Sequence, residues 1–287
     1  MINNKLASGS NTGSPNDLTT FNRSTPLKYT LITGACKGIG KALAYECASR
    51  KMNVLLISND RDCLQGVSDD IRRTKGVESH CLFIDLMEEG APGMVYQWVN
   101  QNGFEVNVLI NNVGVGKGGM FGDMALKDIR NMMLLNNKVM VEMTYHFLPA
   151  LQKHPEAHLL NLSSLEARLP LPYKAIYTGT KNFVYAFSLA IAQELKFSDI
   201  KVSVLCPGPV LTNPEGLSRI HAHGRRSKLL MMYPEEVARI SVKAMLNGQQ
   251  VIVPGFLNSL FFKLGAILPL GIKMNLLERL FRVYKTN

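Results

Sequence analysis

A chain of 287 residues with 46% hydrophobic and 19% charged residues can bury a sizeable core, as one large α/β domain or two small ones, which excludes a wholly disordered or fibrous protein. The formal net charge of +10 invites a nucleic-acid reading, but the positive residues gather in "HAHGRRSK" (221–228) and in the tail with no zinc-finger or RNA-recognition signature, so no nucleic-acid partner is expected. The 5 cysteines are odd in number and form no close C-x-x-C pair, which predicts neither a disulfide framework nor a zinc site and fits a reducing, cytoplasmic setting.

Residues 1–26 are rich in Asn, Ser, Thr, Gly and Pro and lack the apolar core of a signal peptide, so they read as a disordered leader before a domain at 27–255. From there, short apolar runs alternate with stretches of helical period. "KYTLIT" (28–33) precedes a helix at 39–51, "NVLLIS" (53–58) one at 61–74, and "HCLFID" (80–85) one at 92–102. "VNVLIN" (106–111) precedes a long helix at 126–153, "HLLNLS" (158–163) one at 174–196, and "KVSVLC" (201–206) one at 234–247, before a last run "QQVIVP" (249–254). Such alternation predicts an α/β fold with a parallel sheet covered by helices on both faces.

Three glycines, Gly34, Gly38 and Gly40, follow the first run in "GACKGIGKALA", where they leave a strand and open a helix. Glycine permits a tight turn there and lets backbone N–H groups approach a pyrophosphate at the helix N-terminus. A plain turn would need fewer glycines. Further on, Tyr177 is the one tyrosine of 9 with a lysine four residues later, Lys181, and on a helix that spacing puts phenol and ammonium on one face. A free phenol titrates near ~10, and lowering that by ~2–3 units takes ~3–4 kcal/mol of preference for phenolate. An ammonium at ~4 Å in a partly screened site supplies about that much.

The spacing G-x-x-x-G-x-G preceded by Thr33, "NNVG" (111–114), the Tyr177/Lys181 pair and "PGPVLT" (207–212) resemble, in order and spacing, the short-chain dehydrogenase/reductases from about Leu27 to Pro254. The resemblance implies a doubly wound Rossmann fold with a mainly parallel seven-stranded sheet. The stretch from Asn161 through Phe183 is similar to the hydroxysteroid dehydrogenase and 3-ketoacyl reductase branch. By resemblance, Ser164 holds the substrate oxygen, Tyr177 exchanges the proton, Lys181 also grips the nicotinamide ribose, and Asn136, next to Asn137, anchors a water linking Lys181 to solvent. Ser163 is expected to be structural. The cofactor would be held by Thr33, Gly34, Lys37, Gly38, Ile39 and Gly40, by Ser58 and Asn59 after the second strand, and by Asp85 at the adenine. Asn111, Gly114, Pro207, Gly208 and Thr212 would complete that set, with Val113 in place of the family's usual alanine.

At the end of the second strand the family's acid for NAD is replaced by Ser58, and Lys37 matches the basic residue of NADP users, so NADP(H) is favoured over NAD(H). Asn59, where arginine is common, and Asp60, about twenty residues beyond Gly40, pull the other way. Residues 209–233 read as a substrate lid in which Leu229, Leu230, Met231 and Met232 either line an apolar pocket or pack in the core. His221 and His223 lack a third ligand, so no metal is expected. The tail 256–287 mixes apolar and basic residues, interrupted by Lys263, Pro269 and Lys273. It would pack on another subunit, on substrate or on a membrane interface, with subunit or substrate packing favoured and a homo-oligomer expected. The expected function is hydride transfer to or from a carbonyl or secondary alcohol of a fairly apolar small molecule. The competing readings are a nucleotide-sensing regulator with little chemistry and a membrane-associated scaffold resting on the tail alone.

Overall fold

The apolar runs become strands with few changes: β1 (Lys28–Thr33), β2 (Asn53–Ser58), β3 (Ser79–Phe83), β4 (Glu105–Asn111), β5 (Ala157–Leu162), β6 (Ile200–Leu205) and β7 (Val251–Ile252). A computed structural model describes residues 27–212, 230–267 and 269–282, so the leader 1–26, most of the lid, and His221, His223 and Leu229 lie outside the described residues. Between the strands run α1 (Gly38–Ser49), α2 (Arg61–Lys75), α3 (Ala91–Gln101), α4 (Leu126–Met133), α5 (Val139–Leu151), α6 (Ala175–Glu194) and α7 (Pro234–Leu246), followed by α8 (Phe256–Ile267) and α9 (Leu270–Phe281).

The strands form one sheet in the order β3-β2-β1-β4-β5-β6-β7, and every pairing is parallel. This is the covered parallel sheet expected from the alternation, in the doubly wound, seven-stranded form that the resemblance implied. Because both faces are covered, the strands are apolar throughout: Leu31, Ile32, Leu55, Leu56, Leu109 and Ile110 are all fully buried. On one face Leu43, Leu64, Ile71 and Val242 of α1, α2 and α7 close the core; on the other, Val95, Met143, Phe147 and Leu151 of α3 and α5 do so. The chain winds one way from β1 through β3 and the other way from β4 onward. The exits of β1 and β4 therefore diverge, and a crevice opens between them at the switch point.

Three sequence expectations are revised. The long helix at 126–153 is one helical run, but Leu134–Lys138 forms a π turn between α4 and α5. The last strand shrinks to Val251–Ile252. Cys36, in the loop after β1, is paired with Cys63, in the first turn of α2, with Cα atoms 5.8 Å apart, a single link where the cysteine spacing suggested no disulfide framework. The two lie 27 residues apart in sequence and meet because β1 and β2 are sheet neighbours.

The tail folds back on the domain. Phe262 of α8 is buried against Leu165, Val204 and Cys206, and Leu277 of α9 against Leu169 and Leu171. Asn258 is also buried, donating to the carbonyls of Leu230 and Pro254 at 3.0 Å each. A Cβ built on Gly208 would come within 2.5 Å of its Oδ1. Met232 is buried in the core beneath α7, so of the two roles weighed for it the packing role holds.

Phe147 is 0% exposed, with its ring edge-on to Tyr96 at 5.4 Å. Phe147→Ala should lower unfolding free energy by about 3–5 kcal/mol in a urea titration, the usual effect of emptying a large buried aromatic site.

Candidate active site

The loop after β1 is shaped by what glycine lacks. Gly34 and Gly38 have φ of 68 and 56, in the left-handed region that side chains disfavour. Gly40 leaves no room at all, since a Cβ there would lie 2.1 Å from Gly34 O and 2.4 Å from Asn112 Nδ2. Helix α1 can therefore start hard against the strand end. Its first turn carries no acid and no side-chain cap on Lys37, which leaves backbone amides facing outward for an anion. Ile39 anchors the turn by packing on the core.

β4 braces this loop. Asn112 donates through Nδ2 to Thr33 O at 2.9 Å and Gly34 O at 3.2 Å, while Thr33 Oγ1 accepts from the N–H groups of Asn112 and Val113 at 3.0 and 3.1 Å. Thr212 reaches over from the loop after β6, its methyl 3.0 Å from a Cβ built on Gly38. The loop is thus fixed from both sides of the switch point.

A cleft of about 590 Å³ opens there, lined by Gly34, Ser58, Asn59, Asp85 and Gly114 and by the apolar Met132 and Leu135. Asp85 accepts from Met87 N–H at 3.0 Å. The glycine loop, a helix N-terminus without a side-chain cap and the adjoining cleft together fit a dinucleotide. Asn111 lies elsewhere. Its amide is buried and donates to Thr144 Oγ1 and Asn161 Oδ1, in a polar chain that continues from Asn161 to Ser188.

Beyond Gly114 the β4 exit loop meets α6. Lys181 is 4% exposed and donates from Nζ to Leu162 O at 2.8 Å, and Ser163 donates to Lys181 O at 2.7 Å, a structural bond as expected for Ser163. Burial pushes the Lys181 ammonium down to about 8. A Cβ built on Gly114 would lie 3.3 Å from Lys181 Nζ and 2.9 Å from Asn136 Oδ1, and one on Gly116 would meet the Tyr177 ring at 2.9 Å. Two glycines two residues apart therefore lie against Lys181, Asn136 and Tyr177. Asn136 sits in the π turn. It accepts from Val115 N–H at 2.8 Å and donates to Val115 O and Thr180 Oγ1, both at 2.9 Å, while Asn137 donates to Thr180 O. Ser164 lies two residues beyond β5, 6% exposed, and accepts from Glu166 N–H at 3.1 Å, which leaves its own proton to donate. Pro207 accepts from Leu165 N–H at 2.8 Å, tying the loop after β6 to that turn.

A model of the family described as short chain dehydrogenase matches residues 28–219. The chain belongs to the short-chain dehydrogenase family. Its relatives lie on the hydroxysteroid and 3-oxoacyl branch. Human 17-beta-hydroxysteroid dehydrogenase type 3 is 32% identical over 64% of this chain, a match spanning 60% of that relative's length. Human very-long-chain 3-oxoacyl-CoA reductase is 30% identical over 87% of this chain and 79% of its own. The fold superposes on a 7beta-hydroxysteroid dehydrogenase with a TM-score of 0.79 at 21% identity, covering 87% of this chain and 96% of that one. A short-chain dehydrogenase from Sphingobium yanoikuyae solved with NADPH gives 0.71 at 24% identity, covering 85% and 97%. One from Burkholderia phymatum solved with NAD gives 0.73 at 23%, covering 83% and 92%.

Two features of this short-chain dehydrogenase were not singled out from sequence. Asn112 holds the glycine loop, and its signal was there: two successive asparagines at the end of a strand beside β1. The Lys174–Glu166 ion pair, 2.8 Å long and largely buried, joins the turn after Ser164 to the start of α6. Only the folded chain brings these two together. Val113, in place of alanine, is accommodated by packing partly buried on the core under α3 and α5.

Lys181 titrates at about 8 in the fold against 10.5 when unperturbed, so below about pH 8 the buried ammonium opposes folding in full. Between those values the unfolded chain binds the extra proton, and stability attributable to this group rises with pH. Thermal melts should show wild type gaining stability relative to Lys181→Met as pH rises from about 8 toward 10.5. A difference that stays constant across the window would mean that the ammonium is not desolvated.

Proposed function

We propose that this chain is a hydride-transferring oxidoreductase acting on a carbonyl or secondary alcohol of a fairly apolar molecule, steroid-like or 3-ketoacyl, with NADP(H) preferred. The observation that carries the proposal is the buried Lys181 ammonium on the same face of α6 as Tyr177, behind the glycines that end the cleft. The regulator reading would leave a desolvated lysine without a purpose.

The nicotinamide ring, when bound, supplies or accepts the hydride. Tyr177 gives or takes the proton at its phenolic oxygen, and Lys181 favours the phenolate through its charge. Ser164 donates its free proton to the substrate oxygen. Asn136 has a positioning role: both ends of its amide are engaged by protein atoms, and they clamp the Gly114–Gly116 loop to α6.

The NADP(H) preference is supported at the end of β2. Ser58 lines the cleft without a negative charge. Asp60, which pulled the sequence reading toward NAD, is committed elsewhere: it caps α2 by accepting from Cys63 N–H at 3.2 Å and pairs with Lys37 Nζ at 2.9 Å. Those bonds, Lys37 first, hold its carboxyl below the ordinary range. Lys37, 77% exposed at its side chain, is placed to turn to a 2′-phosphate.

For the substrate, apolar character is supported by Leu169 and Leu171, between Ser164 and Tyr177, which with Ala167, Ala175 and Met274 of α9 line a second cavity of about 660 Å³. The share of α9 in that lining favours the substrate-side reading of the extension. No helix among the described residues is long and apolar enough to cross a membrane.

Ketones, steroids and 3-ketoacyl thioesters screened at the NADPH absorbance should yield turnover that Tyr177→Phe lowers at least about a hundredfold. NADPH affinity of that variant should stay within a few-fold of wild type. Substantial residual turnover would remove Tyr177 from the role, and tighter binding of NADH than NADPH would reverse the cofactor preference.

A further inference from the structure

Helices α8 and α9 are apolar on two sides. On α8, Asn258, Phe262 and Gly265 are buried, whereas Phe256, Leu257, Leu260 and Leu264, on the opposite side of the helix, are 43% to 81% exposed. On α9, Leu277 is buried while Ile272, Leu276 and Leu280, one turn apart, are 47% to 61% exposed. Phe261 and Leu277 meet in one cluster with Leu169 and Leu171, so both helices sit on the same segment of the domain and turn their outer stripes away from it. Single exposed leucines are ordinary on any surface. Eight large apolar side chains exposed within residues 256–280 form a patch, and a patch of that kind marks an interaction surface.

Charge decides what can cover it. Residues 256–287 hold five basic residues and one acid, Glu278, which pairs with Arg282 at 2.7 Å and accepts from the Tyr173 hydroxyl. Lys263 and Arg279 are exposed within the apolar stripes themselves. A second copy seated on this face would set two surfaces of the same sign against each other, an arrangement that interfaces avoid. A surface of anionic lipid headgroups instead neutralises the ammonium and guanidinium groups, whose long stems let them reach the headgroup level while the leucines between them enter the acyl boundary. Each helix has 12 residues and so spans about 18 Å, well short of the ~30 Å hydrocarbon core, and Pro269 separates the two. Such helices lie in an interface and do not cross it.

We propose that the outer face of α8 and α9 docks the protein on an anionic lipid bilayer. The two sides of α9 then have different tasks: Met274 lines the second cavity, and the stripe of Ile272, Leu276 and Leu280 enters the lipid. The cavity is thereby held next to the bilayer, where apolar molecules are concentrated.

The full chain would be sedimented with vesicles of phosphatidylcholine alone and of phosphatidylcholine with about a quarter phosphatidylserine. Wild type should bind the anionic vesicles at least about tenfold more tightly than the neutral ones, and added salt should weaken that binding. Leu260→Gln, Ile272→Gln and Leu276→Gln together should lower it at least about tenfold. These side chains face solvent and Gln is a good helix former, so melting should stay within about 3 °C of wild type. Lys263→Gln with Arg279→Gln reads the same face independently, and should weaken binding to anionic vesicles while leaving the neutral ones little changed. Phe197→Gln, a change at an exposed aromatic outside the tail, should bind as wild type does.

Wild type that remains in the supernatant with both kinds of vesicle would overturn the proposal, as would binding that survives both sets of tail substitutions. A wild-type dimer in sedimentation velocity that the three glutamines convert to monomer, with no vesicle binding in either, would assign the face to a second copy and overturn it equally. Vesicle binding is read without turnover, so a failure here and a failure of the reaction proposed above are distinguishable.

Discussion

An ammonium group buried in a sheet-and-helix interior is the constraint around which this molecule is arranged. Lys181 is nearly inaccessible and has a backbone carbonyl, Leu162 O, as its hydrogen-bond acceptor. Removing an ammonium from water is expensive unless it is paired or its environment is polar, so the local structure has to tolerate a penalty that serves no packing purpose. Gly114 keeps the space in front of it clear, Ser163 fixes its backbone, and Asn136 ties the neighbouring loop to the same helix. The π turn belongs to this set. Widening one turn of an otherwise regular helix carries Asn136 to where its amide spans Val115 and Thr180. Such widened turns occur frequently at functional sites.

Sequence reading was strong where the chain's own periodicity decides the outcome. "KYTLIT" and "NVLLIS" give strands with the expected boundaries, because a strand buried on both faces must be apolar along its whole length. The glycine triplet was legible for a similar reason: Gly40 touches backbone atoms, so no other residue type fits, whatever surrounds it. What stayed hidden depends on contacts between distant segments. The π turn is absent from the hydropathy of 126–153, which reads as an unbroken helix, since only the bond to Thr180 on another helix makes the irregular turn worthwhile. Asn111 and Asn112 are adjacent and chemically identical, yet one faces the interior network and the other the glycine loop, a division set by strand pleat. Asp60 stands at the count from Gly40 where a ribose acid would fall, and only the folded chain shows that its carboxylate caps α2 through Cys63 N–H and meets Lys37.

The same division applies to the segment after β5. The leucines at 165, 169 and 171 are visible in the sequence as an apolar stretch, but their partners come from α8 and α9, nearly a hundred residues later. Tyr173, with φ of 64, turns the chain sharply just before α6, and its hydroxyl donates to Glu278 of α9 at 3.2 Å. The segment that links Ser164 to Tyr177 is therefore shaped as much by the tail as by the sheet.

Asn258 gives this arrangement a consequence for modularity. The sequence reading drew the domain border near Pro254, yet four residues later this amide is wedged beside Gly208 and bonded to the backbone at Leu230. Any chimera joined at that border would leave the loop after β6 stripped of its buttress, because the amide that fills the space beside Gly208 sits on the far side of the junction.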